Sequence, residues 1–310
     1  MIFMKKVGKY SVSIVLPNWN GEVLLAKNLP AVIAASKGAQ IIVADDASTD
    51  ESIAMIKMNF PQITIVSNKK QQGFSSNINS GVKKATGEIV VLLNTDVRPK
   101  EDFLDALLPH FDDETVFAVG CLEQSHEKNG MVERGRGLSR WEKGYFIHSK
   151  GAIISGATAW VSGGSGAYRK SIWNELGGMD PLFNPFYWED IDLSYTARKA
   201  GYQTLFEPKS IVGHFHHQGK IKTSFSPNAV KQIVYRNQFE FIWKNASDSR
   251  VLLAHAVWTP IRLLQAVLRG DFMMVLGFIR AFVRLPAIYA CRYRVATLWK
   301  RTDGELSVRV

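Results

Sequence analysis

Short apolar runs alternate with longer segments of helical periodicity along the first two thirds of the chain. The run at residues 89–93 contains no polar side chain, which is typical of a strand buried on both faces of a sheet. Further strands are predicted at residues 11–16, 40–44 and 63–66. Helices are predicted at residues 22–36, 51–59 and 73–85. Strands separated by helices of this length predict a doubly wound, mainly parallel α/β sheet.

Three of these predicted strands end in polar tips. Asn18 and Trp19 follow the first strand, Asp46 follows the second, and Asn94 and Asp96 follow the run at 89–93. Because ligands of open α/β sheets bind beyond the carboxyl ends of the strands, we expect these residues to lie around one crevice. Turn formation explains each tip separately, since Asn and Asp favour turns. It does not explain three polar tips on neighbouring strands.

The next part of the chain continues the α/β pattern but contains one long segment without clear periodicity. A helix at 100–111 and a strand at 116–120 are predicted before residues 123–150, which are charged and contain glycine. Such a segment within a domain predicts a mobile functional loop or a poorly ordered insertion. After it come predicted helices at 170–176 and 188–201, a strand at 203–206 and a group of three histidines at 214, 216 and 217.

The last quarter of the chain has a different pattern. Ser226 and Pro227 predict the start of a helix that runs to residue 244, after which residues 251–268 and 272–290 are apolar and aromatic but carry arginines. Arginines make these segments poor membrane spans, so we expect helices that lie in the membrane interface. A helical subdomain packed on the core, or an oligomer interface, is the alternative. We therefore divide the chain into residues 1–225 and 226–310.

The net charge of +10 predicts an acidic partner, which can be nucleic acid, a nucleotide ligand or an anionic membrane. Ten basic and three acidic residues lie between 250 and 309, so a difference of +7 falls in the last fifth of the chain. These basic residues are interleaved with an apolar face, which argues against nucleic acid and favours an anionic membrane surface.

Cysteine usage and the N-terminus bear on the compartment. Cys121 and Cys291 give neither a metal-binding spacing nor a disulfide framework, which suits a reducing cytosol. No apolar signal region precedes the first predicted strand. We expect a peripheral protein on the cytoplasmic face of the plasma membrane.

The order of these motifs resembles the inverting, nucleotide-sugar-dependent glycosyltransferases of family 2, which have the GT-A fold. Six stretches carry the resemblance, in family order, over about two thirds of the chain: residues 14–20, 43–50, 73–77, 92–96, 163–169 and 188–193. Within the family, the chain is most similar to bacterial enzymes that add single sugars, such as rhamnosyltransferases, to lipid-linked polysaccharide precursors. The resemblance implies a GT-A sheet flanked by helices, with a C-terminal helical, membrane-associated region.

The resemblance places Pro17, Trp19 and Asp46 around the nucleotide base of a UDP-, dTDP- or GDP-sugar. An aromatic ring offers a stacking face, and a carboxylate accepts the imide N–H of uracil or thymine. Alternatively, Trp19 anchors its loop and the Asp45–Asp46 pair caps the next helix; we expect Asp46 to be the ligand contact. Glycines at 163, 164 and 166 let the backbone approach the sugar or the phosphates. The expected donor contacts are Pro17, Asn18, Trp19, Asp46, Asn77, Asn94, Gly164 and Ser165.

A divalent cation, Mg²⁺ or Mn²⁺, is expected because the leaving diphosphate develops negative charge. Asp96 is the best ligand, and the family often has a second carboxylate where this chain has Asn94, a weaker ligand. His214 lies where some family members place another ligand; a histidine that only fills a structural role is the alternative. Arginines 134, 136 and 140 either reach the diphosphate or form a solvated basic surface.

Inverting transfer requires one general base, and the resemblance maps it to Asp190, with Glu189 orienting the base or the acceptor. Acidic residues at a helix start also favour the helix dipole, which we expect to describe Asp192. The predicted function is transfer of one sugar to a lipid-linked glycan. A homo-oligomer is a further hypothesis for the state of this enzyme. A processive synthase is disfavoured because the chain has no Gln-x-x-Arg-Trp motif, and a non-catalytic nucleotide-sugar-binding or scaffold subunit is the remaining alternative.

Overall fold

The computed structural model of the protein describes residues 6–127, 130–215 and 224–308. The strands within these ranges are β1 (Lys6–Val7), β2 (Tyr10–Asn18), β3 (Gln40–Asp45), β4 (Thr64–Ser67), β5 (Ile89–Leu93), β6 (Val97–Pro99), β7 (Val116–Glu127), β8 (Gly130–Arg134), β9 (Gly137–Glu142), β10 (Tyr145–Lys150), β11 (Gly156–Ala157), β12 (Ser165–Arg169) and β13 (Gln203–His214). The α-helices are α1 (Glu22–Ala35), α2 (Ser52–Asn59), α3 (Phe74–Lys84), α4 (Phe103–Leu107), α5 (Lys170–Leu176), α6 (Glu189–Lys199), α7 (Pro227–Asn245), α8 (Ser249–Leu268), α9 (Phe272–Val283) and α10 (Leu285–Ala296).

One mixed sheet forms the centre of the fold, in the strand order β11-β13-β7-β12-β5-β2-β3-β4. The four strands β4, β3, β2 and β5 are parallel, and β12 joins β5 to β7 by antiparallel pairing on both sides. The predicted α/β class with a mainly parallel sheet and flanking helices is confirmed. The carboxyl ends of β2, β3 and β5 therefore lie at the same edge.

Each face of the sheet is covered because side chains along a strand point alternately to its two sides. On β2, Val12 and Ile14 pack with Leu25 of α1 and with α2 and α4, whereas Val15 packs against α3. The second face also receives Trp173 of α5 and residues of α6. Both core layers are apolar and buried, so the polar strand tips are held on a rigid base.

The prediction of a mobile loop or insertion at residues 123–150 was wrong. β7 extends to Glu127, β8 pairs with it, and β9 and β10 form an antiparallel hairpin in the described part of this segment. Its turn contains Lys143 at φ 52° and Gly144 at φ 72°, which is the backbone that a two-residue hairpin turn requires. Outward-facing strand positions can be charged when only one face is buried, and this concealed the strands in the sequence.

Two other elements differ from the prediction. The strand expected at 203–206 runs to His214 and pairs with β7 in parallel and with β6 in antiparallel register. The helix expected at 100–111 is α4 followed by a 3₁₀ turn at Leu108–Asp112. The longer β13 is important for the site, because it carries His214 to the edge where β5 ends.

Residues on both sides of the predicted boundary at 225 and 226 share a core. Phe239 and Phe241 of α7 pack with Tyr145 of the β9–β10 hairpin and with Phe183 and Trp188. The predicted start of α7 is confirmed, since Ser226 Oγ accepts a hydrogen bond from the N–H of Ala229 at 3.2 Å. The helical region is thus built onto the α/β part through buried aromatic contacts.

The helices after α7 leave much apolar surface exposed. By length and composition, α8 is apolar enough to cross a membrane, contrary to the expectation from its arginines, and α9 with α10 passes the same test only as a pair bent by 67°. Pro286 lies in the first turn of α10, where its missing N–H needs no partner, but Pro260 lies inside α8 and does not end it. A set of large apolar side chains is exposed on these helices: Leu253, Val257, Leu264, Leu268, Phe272, Phe282, Val283, Tyr289 and Tyr293.

Candidate active site

A pocket of about 390 Å³ opens at the sheet edge where β2, β3 and β5 end. Apart from arginines 134, 136 and 140, it brings together every residue predicted for donor, metal and proton transfer except one. The predicted residues that line it are Pro17, Asn18, Trp19, Asp46, Asn77, Asn94, Asp96, Gly164, Glu189, Asp190 and His214. The exception is Ser165, which is buried and donates its hydroxyl hydrogen to Glu123.

Neighbouring strand tips are joined by direct hydrogen bonds. The side-chain amide of Asn18 donates to Asp45 Oδ1 at 2.8 Å and to Ser52 Oγ at 3.0 Å, and the N–H of Asp46 donates to the carbonyl of Asn18 at 2.8 Å. Asn18 is buried, so these bonds replace its contacts with water. The tips of β2 and β3 are therefore fixed relative to each other before any ligand binds.

The adjacent carboxylates Asp45 and Asp46 have different roles. Asp45 closes the turn after β3, because its Oδ2 accepts from the N–H of Ser48 at 3.1 Å. Asp46 lines the pocket and accepts from Asn68 Nδ2 and from the N–H groups of Gln72 and Gly73 at 2.8–3.1 Å. The N–H of Gln72 is shared between the two oxygens, so each oxygen of Asp46 accepts two of these contacts. Neither residue caps α2, contrary to the alternative considered from the sequence.

Asn77 lines the same side of the pocket. Its amide donates to the carbonyl of Ala44 at 2.8 Å, and its Oδ1 accepts from Asn68 at 3.1 Å. Trp19, half-buried in the loop after β2, lines the pocket as well. This side therefore presents an aromatic ring and a carboxylate on a hydrogen-bonded base.

The glycine run before β12 approaches the tip of β5 closely. The N–H of Asn94 donates to the carbonyl of Gly164 at 2.9 Å, and a Cβ on Gly164 would lie 2.4 Å from Asn94 Nδ2. Only glycine fits at position 164 without moving Asn94. The close backbone approach that the sequence predicted for this glycine run is therefore made to the tip of β5, at the edge of the pocket.

Asp96, His214 and Glu123 form a chain of three polar side chains in the pocket wall. His214 Nε2 lies 3.2 Å from Asp96 Oδ1, and His214 Nδ1 lies 3.2 Å from Glu123 Oε2. All three side chains are at most 10% exposed. A carboxylate on Nδ1 is the arrangement that fixes the tautomer of a histidine whose Nε2 binds a metal.

The donor set at this point suits Mg²⁺ or Mn²⁺. Asp96 supplies oxygen, and His214 supplies a nitrogen that Mn²⁺ accepts. No group of three or more His, Cys, Asp or Glu side chains with metal-binding geometry occurs among the described residues. Mg²⁺ and similar ions are commonly held by one or two protein ligands together with substrate phosphates, so a two-residue site fits this type of ion.

The charge state of His214 follows from its two neighbours. Burial lowers the pKa of His214, but its hydrogen bonds and ion pairs with Asp96 and Glu123 outweigh burial and raise this pKa to about 9. Without a cation the imidazole is therefore protonated near neutral pH. A metal would have to displace that proton, and two carboxylates partly compensate the positive charge in either state.

The Glu189–Asp190 pair begins α6 at the pocket wall. Asp190 Oδ2 accepts from the N–H of Gly163 at 3.3 Å, and its Oδ1 accepts from the N–H of Ile191 at 2.8 Å. Burial raises the pKa of Asp190 to about 6, against the lowering effect of these bonds. Burial and the charge of Asp190 raise the pKa of Glu189 well above its ordinary value. Asp190 is thus an oriented carboxylate with a pKa suited to a base near neutral pH.

Several sequence-based candidates lie elsewhere. Arg134 pairs with Glu127, Arg136 donates to the carbonyl of Ala157, and Arg140 pairs with Glu142 at 2.7 Å; none of the three arginines lines the pocket. Asp192 bonds with Lys244 at 2.6 Å and is structural, as expected. His216 and His217 lie outside the described residues.

The sequence did not indicate Glu123 or the aromatic side chains at the pocket edge. Glu123 was placed in a predicted loop, and its role follows from β7 pairing with β13. The aromatic set is Phe74, Phe186, Tyr187 and Phe225. The motif immediately before Glu189 is rich in aromatic residues, which was the available signal for Phe186 and Tyr187.

Comparisons with known proteins agree with this geometry. Pre-mycofactocin glycosyltransferase of Mycobacterium tuberculosis is 27% identical over 215 residues, which are 66% of this chain and 43% of that protein. An O-antigen chain rhamnosyltransferase of Salmonella typhimurium is 23% identical over 213 residues, covering 66% of this chain and 67% of the relative. The chain spans less than half the length of the first curated relatives that it matches.

Solved structures share the fold. GalNAc-T7 with UDP, GalNAc and Mn²⁺ aligns with a TM-score of 0.61 at 18% identity, covering 77% of this chain and 48% of that one. A mannosyltransferase from Pyrobaculum calidifontis in complex with GDP-Man and Mn²⁺ aligns with a TM-score of 0.55 at 15% identity, covering 93% and 86%. These similarities confirm the predicted GT-A fold.

The profile described as glycosyl transferase family 2 matches residues 13–177, more than half of the chain. This stretch contains the tips of β2, β3 and β5 and the glycine run at 163–166. The resemblance to family 2, and within it to rhamnosyltransferases, is confirmed by the profile and by the Salmonella relative. On this evidence the chain belongs to glycosyl transferase family 2.

Proposed function

We propose that this protein is an inverting, divalent-metal-dependent hexosyltransferase that moves one sugar from a nucleotide-sugar to a hydroxyl of a lipid-linked glycan. One observation carries the proposal: the oriented base Asp190 and the Asp96–His214 pair border the same pocket as Trp19 and Asp46. A base, a cation site and a nucleotide site are the three parts that this reaction needs.

The donor is bound by the side of the pocket that Trp19 and Asp46 line. The indole stacks on the base, and Asp46 accepts an imide N–H of uracil or thymine at the oxygen from which the shared N–H of Gln72 withdraws. Family membership and relatives solved with UDP or GDP-mannose support a nucleotide-sugar donor.

The diphosphate lies toward Asp96 and His214 in this proposal. These two residues would hold Mg²⁺ or Mn²⁺, with Glu123 fixing His214. The cation supplies positive charge to the leaving diphosphate as the glycosidic bond breaks. Asn94 contributes a neutral oxygen at most, so a large part of the affinity for the cation depends on the donor phosphates.

Asp190 takes the proton of the acceptor hydroxyl as the hydroxyl oxygen attacks the anomeric carbon. The new C–O bond forms as the bond to the nucleoside diphosphate breaks, which inverts the anomeric configuration. The N–H groups of Gly163 and Ile191 each hold one oxygen of Asp190, which orients the carboxylate and leaves a second acceptor position on each oxygen for the hydroxyl. Glu189, with a raised pKa, is suited to orient the acceptor as a hydrogen-bond donor.

The acceptor and the location are inferred from the C-terminal helices. Exposed apolar side chains on α8, α9 and α10 are accompanied by the excess of basic residues between 250 and 309, a combination that suits an anionic membrane surface. The name of the Salmonella relative, an O-antigen chain rhamnosyltransferase, supports a role in cell-surface polysaccharide synthesis. We therefore propose a peripheral enzyme at the cytoplasmic face of the plasma membrane.

Donor binding and turnover test the proposed function in sequence. UDP-, dTDP- and GDP-sugars are screened for a rise in Tm with and without Mn²⁺, because a ligand of the native state raises apparent stability. We expect one nucleotide-sugar to stabilise the protein more in Mn²⁺ and to be hydrolysed slowly. Asp190→Asn should keep its donor Kd in calorimetry and lose turnover by about 10²- to 10⁴-fold. Normal turnover in this variant would refute the assignment, and donor binding without any turnover in the wild-type protein would favour the non-catalytic subunit.

A further inference from the structure

One part of the pocket edge is used by none of the donor, metal or base assignments. Phe186 and Tyr187, which precede Trp188 and Glu189 in the chain, line it together with Phe225. The rings of Phe186 and Phe225 are 4.9 Å apart, and those of Phe186 and Tyr187 are 5.0 Å apart. Phe186 is buried, but Tyr187 is 42% exposed. The ring of Tyr187 therefore presents open surface at the mouth of the pocket.

The backbone at this point is strained. Tyr187 has φ 71° and Trp188 has φ 78°, in the left-handed region that residues with side chains rarely adopt. Such conformations persist only where the surrounding structure enforces them, and they cluster at functional sites. Here the two residues diverge: Trp188 is buried against Phe241 at 5.2 Å, whereas Tyr187 stays exposed at the pocket.

Asn237 of α7 holds this conformation. Its Nδ2 atom donates to the carbonyls of Phe183 at 3.0 Å, Phe186 at 3.0 Å and Tyr187 at 2.8 Å, and the side chain is fully buried. Asn237 Oδ1 accepts from Arg236 Nε at 2.9 Å, which fixes the orientation of the amide. Helix α7 of the C-terminal region thus holds the backbone conformation that leaves Tyr187 exposed.

The other side of the same segment is fixed to α3. Asn184 Oδ1 accepts from the N–H of Ser75 at 3.1 Å, its Nδ2 donates to Ser76 Oγ at 2.7 Å, and the carbonyl of Pro185 accepts from the N–H of Phe74 at 2.9 Å. The segment is therefore tied at both ends, to α3 beside the donor side and to α7. A structural turn would not require an exposed aromatic ring between two such attachments.

We propose that Tyr187 is the stacking platform for the acceptor sugar, so that the acceptor subsite lies between its ring and Asp190. This inference rests on the proposed function, because it assigns the second substrate of the same pocket. The ligand class is a hexose ring: the apolar C–H face of a sugar suits an aromatic face, and its hydroxyls must reach the adjacent carboxylates. Trp19 already supplies an aromatic face for the nucleotide base, so Tyr187 is available to the acceptor.

The position of Tyr187 in the chain supports this assignment. Two residues separate it from Asp190, and Tyr187, Glu189 and Asp190 line the same pocket. A sugar stacked on the ring therefore lies beside the Glu189–Asp190 pair. Phe225 packs against Phe186 and extends the aromatic lining of the pocket.

The variants separate the effect of losing the aromatic ring from the effects of backbone strain and of unfolding. Tyr187→Ala removes the ring, Tyr187→Phe keeps it, and Tyr187→Gly removes it while relieving the backbone, because glycine adopts φ 71° freely. Tyr293→Ala is the matched control, since Tyr293 is 80% exposed on α10. Methyl glycosides of rhamnose, glucose, galactose and N-acetylglucosamine serve as acceptor probes. Their binding is measured by saturation-transfer NMR with the nucleoside diphosphate and Mn²⁺ present, and KM is measured for any that is glycosylated.

We expect Tyr187→Ala and Tyr187→Gly to weaken glycoside binding or raise the acceptor KM about tenfold or more, from loss of aromatic contact. Tyr187→Phe should stay within about threefold of the wild-type protein for the same reason, and Tyr293→Ala should not differ. Tyr187→Gly should keep or raise the Tm, which separates ligand loss from unfolding. The donor Kd, measured by calorimetry, should be unchanged in all four variants.

Two results would contradict the assignment of Tyr187 as the stacking platform for the acceptor sugar. One is unchanged glycoside binding in Tyr187→Gly, and the other is a weakened donor Kd in Tyr187→Ala with normal acceptor KM, which would place the ring on the donor. Failure of the proposed function gives a different result: the wild-type protein then binds no nucleotide-sugar, or Asp190→Asn keeps normal turnover.

Discussion

His214 Nδ1 lies 3.2 Å from Glu123 Oε2, so a carboxylate outside the recognised family motifs orients the histidine beside Asp96. Outer carboxylates of this type commonly raise metal affinity about 10- to 100-fold. We predict that Glu123→Gln weakens Mn²⁺ binding by about tenfold in the presence of a stabilising nucleoside diphosphate. Calorimetry or Mn²⁺ electron paramagnetic resonance measures this affinity.

Glu133→Gln provides the control for this prediction. Glu133 lies on β8, which pairs with the strand β7 that carries Glu123, and it accepts a hydrogen bond from Gln124 and makes none with His214. Its Mn²⁺ affinity should match that of the wild-type protein. Equal affinities in Glu123→Gln and Glu133→Gln would mean that His214 does not bind the cation or that Glu123 does not orient it.

The pH dependence of transfer should report Asp190. Burial raises its pKa to about 6, and a general base acts only in its deprotonated form. At saturating Mn²⁺, which removes the dependence on the His214 proton, we therefore predict that kcat/KM is constant above about pH 7 and falls about tenfold per pH unit below the pKa near 6. Initial rates between pH 4.5 and 8.5, in buffers of constant ionic strength, give the profile. An acidic limb near pH 4, the ordinary range of a solvated aspartate, would contradict a buried base at this position.

The sequence predicted the strand tips because parallel strands bring their carboxyl ends to one edge. Asp96 and Asp46 could therefore be assigned to one crevice without knowing the strand order. The contact between Glu123 and His214 depends on the register of β7 and β13, two strands that are about 90 residues apart in the chain. Local patterns contain no information on such a register, which is why Glu123 was missed.

Other differences from prediction have local causes. The cap on the next helix was expected from propensity, which cannot separate two adjacent aspartates, whereas the family resemblance indicated Asp46 as the ligand contact. Their roles diverge because Asn18 bonds to Asp45 and the N–H groups of Gln72 and Gly73 bond to Asp46. The β9–β10 hairpin was missed because charged outward-facing positions dominate its composition. The Lys143–Gly144 turn was the overlooked signal.

Lys244 connects the C-terminal helical region to α6 by buried ion pairs. Its Nζ lies 2.6 Å from Asp192 Oδ2 and 2.9 Å from Asp180 Oδ2, and all three side chains are at most 7% exposed. Removing one partner of a buried pair leaves an uncompensated charge, so we predict that Lys244→Met lowers the free energy of unfolding by about 3–5 kcal/mol. Urea denaturation monitored by tryptophan fluorescence measures the change.

Lys231→Met is the matched control on the same helix. Lys231 pairs with Asp271 at 2.9 Å, but its side chain is 49% exposed, so water screens the interaction. We expect a loss below about 1 kcal/mol for this substitution. Similar losses in the two variants would show that the Lys244 site is hydrated in solution and does not connect α7 to α6 as a buried ion pair.

The exposed apolar side of α8 provides the test of membrane attachment. Leu264 is 61% exposed and Leu268 is 77% exposed, and both lie on the helix side opposite the buried residues His255, Thr259 and Ala266. Insertion of these leucines into lipid stabilises binding by apolar burial, so Leu264→Glu with Leu268→Glu should weaken vesicle binding by about tenfold or more. Co-sedimentation with vesicles that contain phosphatidylglycerol measures the partition coefficient.

Met58→Glu, at a side chain 78% exposed on α2, is the control and should not change binding. Each basic residue near an anionic surface contributes about 1 kcal/mol, so neutral phosphatidylcholine vesicles and high salt should both weaken binding of the wild-type protein. The alternative occupant of this surface is a second copy of the chain. A wild-type dimer that becomes monomeric in Leu264→Glu with Leu268→Glu, together with unchanged vesicle binding, would assign α8 to self-association and refute the membrane proposal.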